Sequence, residues 1–358
     1  MVDFAVYSNK RVLITGHTGF KGSWLAIWLH ALGAKVWGYA LNPYSEKDNF
    51  VLSGIGEQIE NDIRGDIRDR KKLHEVFTIC QPEIVFHLAA QPLVRLSYEH
   101  PVETYETNVM GSVNVLEEVR QCSATKIAIM ITTDKCYENR EQWWGYRENE
   151  ALGGYDPYSS SKGAAEIAIS AWRRSFMNPL FYEKHGKALA SVRAGNVVGG
   201  GDWAADRIVP DCIRAIEAGK PVEVRFPQAV RPWQHVLEPL SGYLTLGAKL
   251  WSNPTKFAEA WNFGPSLDSI VPVWDVARMV VEFYGAGMLK DASNPDALHE
   301  AKLLALDISK ARYELGWTPK WNIRTTIAKT VEWYAHYQKE NVYQLCLKQI
   351  TEYNDHKR

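Results

Sequence analysis

Tyr158 and Lys162 are four residues apart, and side chains at that spacing lie on one face of a helix. A tyrosine titrates near ~10 in water, and a neighbouring ammonium group favours its phenolate form. Such a tyrosine could take the proton of a carbinol at neutral pH. Because this spacing is also common in amphipathic helices, its meaning depends on the elements that would position it.

A second polar group, Thr133-Asp134-Lys135, follows an apolar run at 126–131. Polar residues directly after a buried strand lie at the edge of the sheet, where ligands of α/β proteins bind. Together with Tyr158 and Lys162, this group points to hydride transfer.

The segment Gly16-His17-Thr18-Gly19-Phe20-Lys21-Gly22 stands between a β-branched apolar run at 11–15 and a helical apolar pattern that begins at Trp24. Its glycines permit a tight turn and close approach of the backbone to a pyrophosphate, and the helix that follows offers unpaired N–H groups. The spacing G-x-x-G-x-x-G departs by one residue from the usual dinucleotide fingerprint. We expect a dinucleotide cofactor here.

The second apolar run ends near 39–43, where an Asp or Glu would normally bind the adenosine ribose. That acid is missing, but Asn42 can bond a hydroxyl group. Because no Arg or Lys between 40 and 46 could neutralise a 2′-phosphate, NAD is favoured over NADP. Asp66 either accepts the adenine amino group or belongs to a charged surface turn.

Apolar runs at 11–15, 35–39, 84–88, 126–131 and 189–193 alternate with stretches of helical length. This alternation predicts an α/β fold, a Rossmann-type doubly wound parallel sheet with a smaller, mixed α/β C-terminal substrate domain. We expect the Rossmann domain at 1–200, with a returning segment at about 232–252, and the substrate domain at 201–231 and 253–358. The segments 199–203 and 231–235 are interpreted as binding loops, and an amphipathic helix is predicted at 325–337.

The 358 residues are 46% hydrophobic and 23% charged, with a net charge of -1. This balance excludes neither enzyme nor receptor, but it lacks the basic surface of a nucleic-acid binder or a polybasic membrane segment. The five cysteines show no metal-ligand spacing, so we predict no metal and a reducing compartment. The first residues form neither a signal sequence nor a spanning helix, and a cytoplasmic protein is expected.

Five motifs stand in a fixed order along the chain: the glycine segment at 16–22, His87-Leu88-Ala89-Ala90-Gln91, Asn108-Val109-Met110-Gly111, Thr132-Thr133-Asp134, and Tyr158-x-x-x-Lys162. In this order they resemble the extended short-chain dehydrogenase/reductases, over most of the chain. Within that family the chain resembles the nucleotide-sugar 4,6-dehydratases. Lys135 stands where the dTDP-glucose enzymes have Glu, which favours the branch that acts on CDP-sugars.

The resemblance implies a lyase that converts CDP-glucose to CDP-4-keto-6-deoxyglucose and water, for deoxysugar synthesis in lipopolysaccharide O-antigen. It implies Tyr158 as the base at the C4 hydroxyl, Thr133 as a hydrogen-bond partner of the C4 oxygen, and Asp134 as the acid at C6. Lys162 would hold the nicotinamide ribose and tune Tyr158. Lys135 would be the C5 base if neutral or an enolate stabiliser if charged, and a surface lysine is the third interpretation.

The cofactor and substrate residues that the resemblance implies form two sets. NAD would contact Gly16, Thr18, Gly19, Phe20, Lys21, Gly22, Asn42, Asp66, Ile67, Leu88, Ala89, Ala90, Gln91, Tyr158 and Lys162. The nucleotide sugar would contact Asn196, Arg207, Ile208, Val209 and Arg231. His235 is expected to have a structural role, and Glu238 stands near where relatives usually have Asp.

Three alternatives to this function remain. The chain could act on dTDP-glucose or another nucleotide sugar, it could be a 4-epimerase, or it could be a non-catalytic NAD-binding scaffold. The family also pairs subunits through helices that begin near residues 100 and 158, so a homodimer or homotetramer is expected.

Overall fold

Seven strands form one parallel sheet in the computed structural model, which describes residues 4–293 and 303–356. The outer limits of the predicted domains, at 1–3 and 357–358, and the stretch 294–302 lie outside the described residues. The strands are β1 Arg11–Thr15, β2 Lys35–Ala40, β3 Asn61–Arg64, β4 Ile84–His87, β5 Ile127–Ile131, β6 Ala188–Ala194, β7 Asn196–Val198, β8 Val222–Val224, β9 Val230–His235, β10 Ala260–Phe263, β11 Ile270–Pro272 and β12 Leu289–Asp291.

The helices cover both faces of this sheet and build the C-terminal part of the chain. They are α1 Phe20–Ala31, α2 Asn49–Ser53, α3 Arg70–Cys80, α4 Val94–Glu99, α5 Pro101–Tyr105, α6 Gly111–Gln121, α7 Pro157–Ser175, α8 Tyr182–His185, α9 Ile208–Glu217, α10 Leu237–Ser252, α11 Pro254–Phe257, α12 Val273–Tyr284, α13 Ile323–His336 and α14 Val342–Asp355. The predicted helix at 325–337 is confirmed as α13. None of the helices in the described ranges is long and apolar enough to cross a membrane.

The large sheet has the order β10-β6-β5-β4-β1-β2-β3, and every neighbouring pair is parallel. Its central strands β4, β5 and β6 are buried throughout and mostly apolar, as expected for strands covered by helices on both faces. The order reverses between β1 and β4, which opens a crevice at their carboxyl ends. The predicted doubly wound α/β sheet is therefore confirmed.

Two small sheets accompany the large one, and one of them corrects a prediction. The segment 231–235 is not a loop but most of β9, the middle strand of the sheet β11-β9-β7. Five of the six residues of β9 are buried, so its sequence lacks the alternation of polar and apolar residues that indicates a strand. Pro232 also argues against a strand, because proline is rare in the middle of a sheet. The other small sheet pairs β12 with β8.

The division into two domains stays a prediction. Strand β10, at 260–263, pairs with β6 at the edge of the large sheet. That strand lies beyond the expected returning segment at 232–252, so a Rossmann domain drawn around the sheet would extend to Phe263.

Candidate active site

A cavity of about 550 Å³ opens beside the carboxyl ends of β5 and β6, between the large sheet and the loops that follow β7. Eleven of the predicted site residues line it: Phe20, Lys21, Thr133, Asp134, Lys135, Tyr158, Asn196, Arg207, Ile208, Val209 and Arg231. These residues are up to 211 positions apart in the chain (231 minus 20), and the strand order brings them together. The cavity therefore unites the predicted chemistry with the predicted substrate contacts.

Tyr158 is the second residue of α7, whose start is fixed by Asp156, since the Asp156 carboxylate accepts a hydrogen bond of 2.8 Å from the Ser159 N–H. Thr133 and Tyr158 both line the cavity. Burial raises the pKa of Tyr158 to about 12, while the nearby Thr133 hydroxyl lowers it. The chain alone therefore keeps the Tyr158 phenol protonated at neutral pH, and the role of Lys162 in favouring its phenolate stays a prediction.

Lys162 lies one helical turn beyond Tyr158 and is buried behind the cavity. Burial lowers the pKa of its ammonium group to about 8, and the charge of Lys21 acts in the same direction. Lys21 has a pKa lowered to about 8 as well, by burial and by Arg207. Lys21 on the cavity wall and Lys162 behind it place two cationic side chains near each other, an arrangement suited to receive negative charge.

Asp134 begins a single 3₁₀ turn, Asp134–Cys136, directly after β5. Its side chain is 3% exposed, and burial raises the pKa of its carboxyl group. Oδ1 accepts a hydrogen bond of 3.0 Å from the Thr133 hydroxyl, whereas Oδ2 has no hydrogen-bond partner among residues 4–293 and 303–356. A buried carboxyl with a raised pKa and one free oxygen is equipped to be protonated and to donate a proton.

Lys135 is half-buried and lines the cavity beside Asp134. It does not stand on the outer surface, so the interpretation as a plain surface lysine is disfavoured. A position beside Asp134 in the cavity is compatible with a C5 base and with an enolate stabiliser.

The glycine segment lies in close contact with another loop of the chain. Gly16 has φ +80°, and a Cβ atom there would lie 2.6 Å from the Ala89 nitrogen, so the loop after β1 packs directly on the loop after β4. Gly19 is the N-cap of α1, and no side chain within the described ranges caps this helix. The first N–H groups of α1 are thus available to a pyrophosphate.

The remaining cofactor candidates lie along the carboxyl ends of β2, β3 and β4, away from the cavity residues. Asn42 is exposed, and Ile67 is buried with its carbonyl oxygen accepting from the Asn114 amide. Both Asp66 carboxylate oxygens accept hydrogen bonds from Arg68; although burial opposes the effect, these bonds lower the pKa of Asp66.

The Gln91 side chain is engaged within its own loop. Its amide donates to the Leu93 carbonyl and the Thr104 hydroxyl, and its Oε1 accepts from the Leu93 N–H. Its neighbours Leu88, Ala89 and Ala90 are partly exposed at the end of β4. Its backbone N–H donates to Asn108 Oδ1 and its carbonyl accepts from Asn108 Nδ2, so Gln91 is positioned to shape this loop.

The substrate side of the cavity carries two guanidinium groups. Arg207 precedes α9 and bonds the Asp202 carboxylate at 2.6 Å, and Asp202 raises the pKa of Arg207. Arg231 is 7% exposed in β9, close enough to Asp134 for its charge to lower the pKa of that carboxyl. Asn196 pairs with Trp233 of β9, which holds it near Arg231.

His235 has the structural role that was expected. It is fully buried between Trp24 and Trp321, and its Nδ1 accepts from the Leu237 N–H. Burial lowers its pKa to about 3, so the ring is neutral.

Several charged cavity residues were not found from the sequence. Asp206 lies at the mouth, bonded to Arg95 at 3.1 Å and to Arg225 at 2.7 Å. Asp206 and Arg225 are in loops and Arg95 is on α4, and in the sequence all three resemble ordinary charged surface residues. Glu166, behind the cavity, could have been found because it lies four residues after Lys162.

Known proteins share both the fold and the sequence. The family model for GDP-mannose 4,6 dehydratase matches residues 13–246. The CDP-glucose 4,6-dehydratase of Salmonella typhimurium is 51% identical over 356 residues, which cover 99% of this chain and 98% of that protein. The CDP-paratose 2-epimerase of Salmonella typhi is 26% identical and covers 90% and 98%.

A solved structure of dTDP-glucose 4,6-dehydratase from Bacillus anthracis, in complex with NAD, has a TM-score of 0.74 at 20% identity and covers 90% of this chain and 96% of its own. That likeness concerns the fold. The matched model and the 51% identical relative establish more: this chain belongs to the GDP-mannose 4,6-dehydratase family, within the nucleotide-sugar dehydratases and epimerases. The resemblance stated from its motifs is confirmed.

Proposed function

We propose that this chain is an NAD-dependent dehydratase that converts CDP-glucose to CDP-4-keto-6-deoxyglucose and water. One observation carries the choice of substrate: the CDP-glucose 4,6-dehydratase of Salmonella typhimurium is 51% identical over nearly the whole chain, whereas a Salmonella typhimurium dTDP-glucose 4,6-dehydratase is 27% identical. The cavity supports the reaction, because it holds a base, an acid and cations together.

The residues of the glycine segment suit a dinucleotide. A Cβ atom at Gly16 or Gly22 would collide with backbone atoms of the chain, so this tight turn requires glycine at both positions. The uncapped N-terminus of α1 follows the turn and would offer its N–H groups to a pyrophosphate. NAD held there would supply the hydride chemistry, namely oxidation at C4 of the sugar and return of the hydride to C6. Asn42 and Asp66 would face the adenosine, and Lys162 the nicotinamide ribose.

Oxidation at C4 needs a base for the hydroxyl proton, and Tyr158 is the proposed base. Because burial raises its pKa to about 12, Tyr158 would gain acidity from positive charge that arrives with the ligands. Thr133, which lines the cavity with Tyr158, would bond the C4 oxygen.

Elimination across C5 and C6 needs an acid for the departing hydroxyl group, and Asp134 is the proposed acid. Burial raises the pKa of its carboxyl group and so favours the protonated form, and its free Oδ2 is the atom from which a proton would be donated. The ketone at C4 acidifies the C5 hydrogen, which Lys135 would remove if neutral; if charged, it would stabilise the enolate.

The diphosphate is proposed to lie between Arg207 and Arg231, because guanidinium groups bind phosphate in a bidentate manner. Asn196 would contact the diphosphate or the sugar, and Ile208 and Val209 would border the nucleotide. A 4-epimerase would have no use for a protonated acid beside Tyr158, and this disfavours that alternative. The presence of this acid beside Tyr158 also disfavours the alternative of a non-catalytic NAD-binding scaffold.

We also propose that the chain pairs with a second copy through α5, α6 and α7. Large apolar side chains are exposed on α5, on α7 and on the π-helical turn Glu106–Met110 that joins α5 to α6: Val102, Ile167 and Met110 are 64%, 61% and 52% exposed. A dimer would bury them. Replacing Ile167 with Glu should shift the mass measured by light scattering from the oligomer to the monomer, and an unchanged mass would contradict this interface.

We propose a cytoplasmic enzyme that supplies deoxysugar synthesis for surface polysaccharide. All five cysteines, each within the described residues, are free thiols, which fits a reducing compartment.

The test of the proposed function compares two substrates. The purified protein and NAD are incubated separately with CDP-glucose and dTDP-glucose, and the products are followed by mass spectrometry. We expect loss of one water from CDP-glucose and a much slower reaction with dTDP-glucose. A faster reaction of dTDP-glucose would reject the base assignment, and a product of unchanged mass with an inverted C4 would reject dehydration.

A further inference from the structure

A buried ion pair lies directly behind the proposed catalytic residues. Glu166 and Arg193 have side chains that are 2% and 4% exposed, and their charged atoms are 2.8 Å apart. Glu166 is on α7, one helical turn beyond Lys162 and two beyond Tyr158. One face of α7 therefore carries the base, the cation and this ion pair.

The ion pair contacts both ends of the segment that carries the acid. The Thr132 hydroxyl, one residue before Thr133, donates to Glu166 Oε1 over 2.5 Å. Arg193 Nη1 donates to the Tyr137 hydroxyl over 2.6 Å, and the guanidinium lies 4.8 Å from the centre of the Tyr137 ring. The segment 132–137 is thus bound at its first and last residues.

Further hydrogen bonds fix the ion pair to the large sheet. The Ser191 hydroxyl of β6 donates to Glu166 Oε2 over 2.9 Å. The Tyr137 hydroxyl donates to Asn262 Oδ1 of β10 over 2.8 Å. Through these bonds the helix that carries Tyr158 and the segment that carries Asp134 share one rigid support.

Stability alone is a poor reason for such a pair, because a buried ion pair can often be replaced by apolar side chains without loss of stability. The ion pair is better explained as a means to hold the surrounding side chains in one arrangement. Proton transfers at C4 and C6 of one sugar require the base and the acid to stand at set positions relative to each other.

We propose that Glu166 and Arg193 are positioning residues, which act as a clamp that holds Thr133, Asp134 and Lys135 in place relative to Tyr158. This inference rests on the proposed function for its catalytic consequence. If the pair served folding alone, any variant that kept its stability would also keep its activity.

The first test removes both charges together. Glu166→Met combined with Arg193→Met replaces the pair with unbranched apolar side chains, whereas either single variant strands a buried charge and should unfold at a lower temperature. We expect the double variant to melt near the parent, with kcat for CDP-glucose about 100-fold lower and KM little changed. A parent-like kcat in a folded double variant would overturn the proposal.

The second test leaves the ion pair intact. Thr132→Val removes the hydroxyl that bonds Glu166, and the matched control Thr132→Ser keeps it. We expect kcat to fall about tenfold in the first variant and to stay near the parent in the second. Equal kcat values in the two variants would count against the clamp even if the double variant did not fold.

A third measurement separates the clamp from the proposed function. Crystal structures of the parent and the double variant report the distance between Asp134 and Tyr158 without any substrate, and we expect it to change by about 1 Å. If the parent fails to dehydrate CDP-glucose, the proposed function is wrong, yet this distance still tests the clamp. An unchanged distance would reject it.

Discussion

Glu238 is a buried carboxylate on α10 whose protonation should govern how the stability of the fold depends on pH. Its Oε1 accepts hydrogen bonds from the backbone N–H groups of Lys320 and Trp321, at 2.9 and 2.7 Å. Its Oε2 accepts one from the Tyr353 hydroxyl at 2.6 Å, and so Glu238 ties α10 to α14. Burial nevertheless raises the pKa of Glu238 from the ordinary 4.5 to about 7.

The direction of the pH dependence follows from this raised pKa. Between pH 4.5 and 7 the folded chain holds the Glu238 proton more tightly than the unfolded chain, so the contribution to stability is full below 4.5 and is lost as the pH rises through 7. One pKa unit corresponds to about 1.4 kcal/mol, which gives about 3 kcal/mol in all and about 2.5 kcal/mol between about pH 5 and about pH 8.

Replacing Glu238 with Gln removes this titration but keeps the shape and the carbonyl oxygen that faces Lys320 and Trp321. The Tyr353 hydroxyl would turn to accept from the new amide. We expect the apparent free energy of unfolding by urea, parent minus variant, to fall by about 2.5 kcal/mol from about pH 5 to about pH 8. The exposed Glu57→Gln serves as the control, with a difference that stays flat. A flat difference for Glu238→Gln as well would refute the reasoning.

Three further predictions concern catalysis. Asp134→Asn should lower the rate of water loss at least about 100-fold while C4 oxidation continues, so that reduced cofactor accumulates and is read by its absorbance; no accumulation would contradict the role of Asp134 as the C6 acid. The value of kcat/KM should fall above about pH 8. The pKa of Lys162 is lowered to about 8, and a neutral Lys162 would no longer favour the Tyr158 phenolate. A pH profile of kcat/KM that is still level near about pH 9 would exclude this role of Lys162. Gly195→Ala would bring a methyl group 2.9 Å from Asp134 Oδ2, and we expect kcat to fall about tenfold with an unchanged circular dichroism melt, whereas a parent-like kcat would mean that this oxygen is not used.

The elements that follow simple periodicity could be predicted from the sequence. The five apolar runs all became strands of the large sheet, because strands covered on both faces are largely apolar and stand out in the sequence. The segment 231–235 was misjudged, since β9 mixes Arg, Pro and Trp, and its burial comes from neighbours that are distant in the chain.

The residue types of the site could be predicted from the sequence, but the pKa values of its groups could not. The spacing of Tyr158 and Lys162 placed both on one face of α7, yet it could not reveal that burial outweighs the neighbouring cation and raises the pKa of Tyr158. Burial is a property of the assembled fold. For the same reason, Arg193 could not be recognised as the partner of Glu166, because β6 and α7 meet only in the folded chain.

The central claim is that hydride leaves C4 and returns to C6 of the same sugar. CDP-glucose with deuterium at C4 tests this most directly, in a reaction with catalytic amounts of NAD and with product analysis by mass spectrometry and NMR. The account predicts a product that has lost one water and carries the deuterium on its C6 methyl group. Deuterium that remains at C4, or that disappears from the sugar, would contradict it.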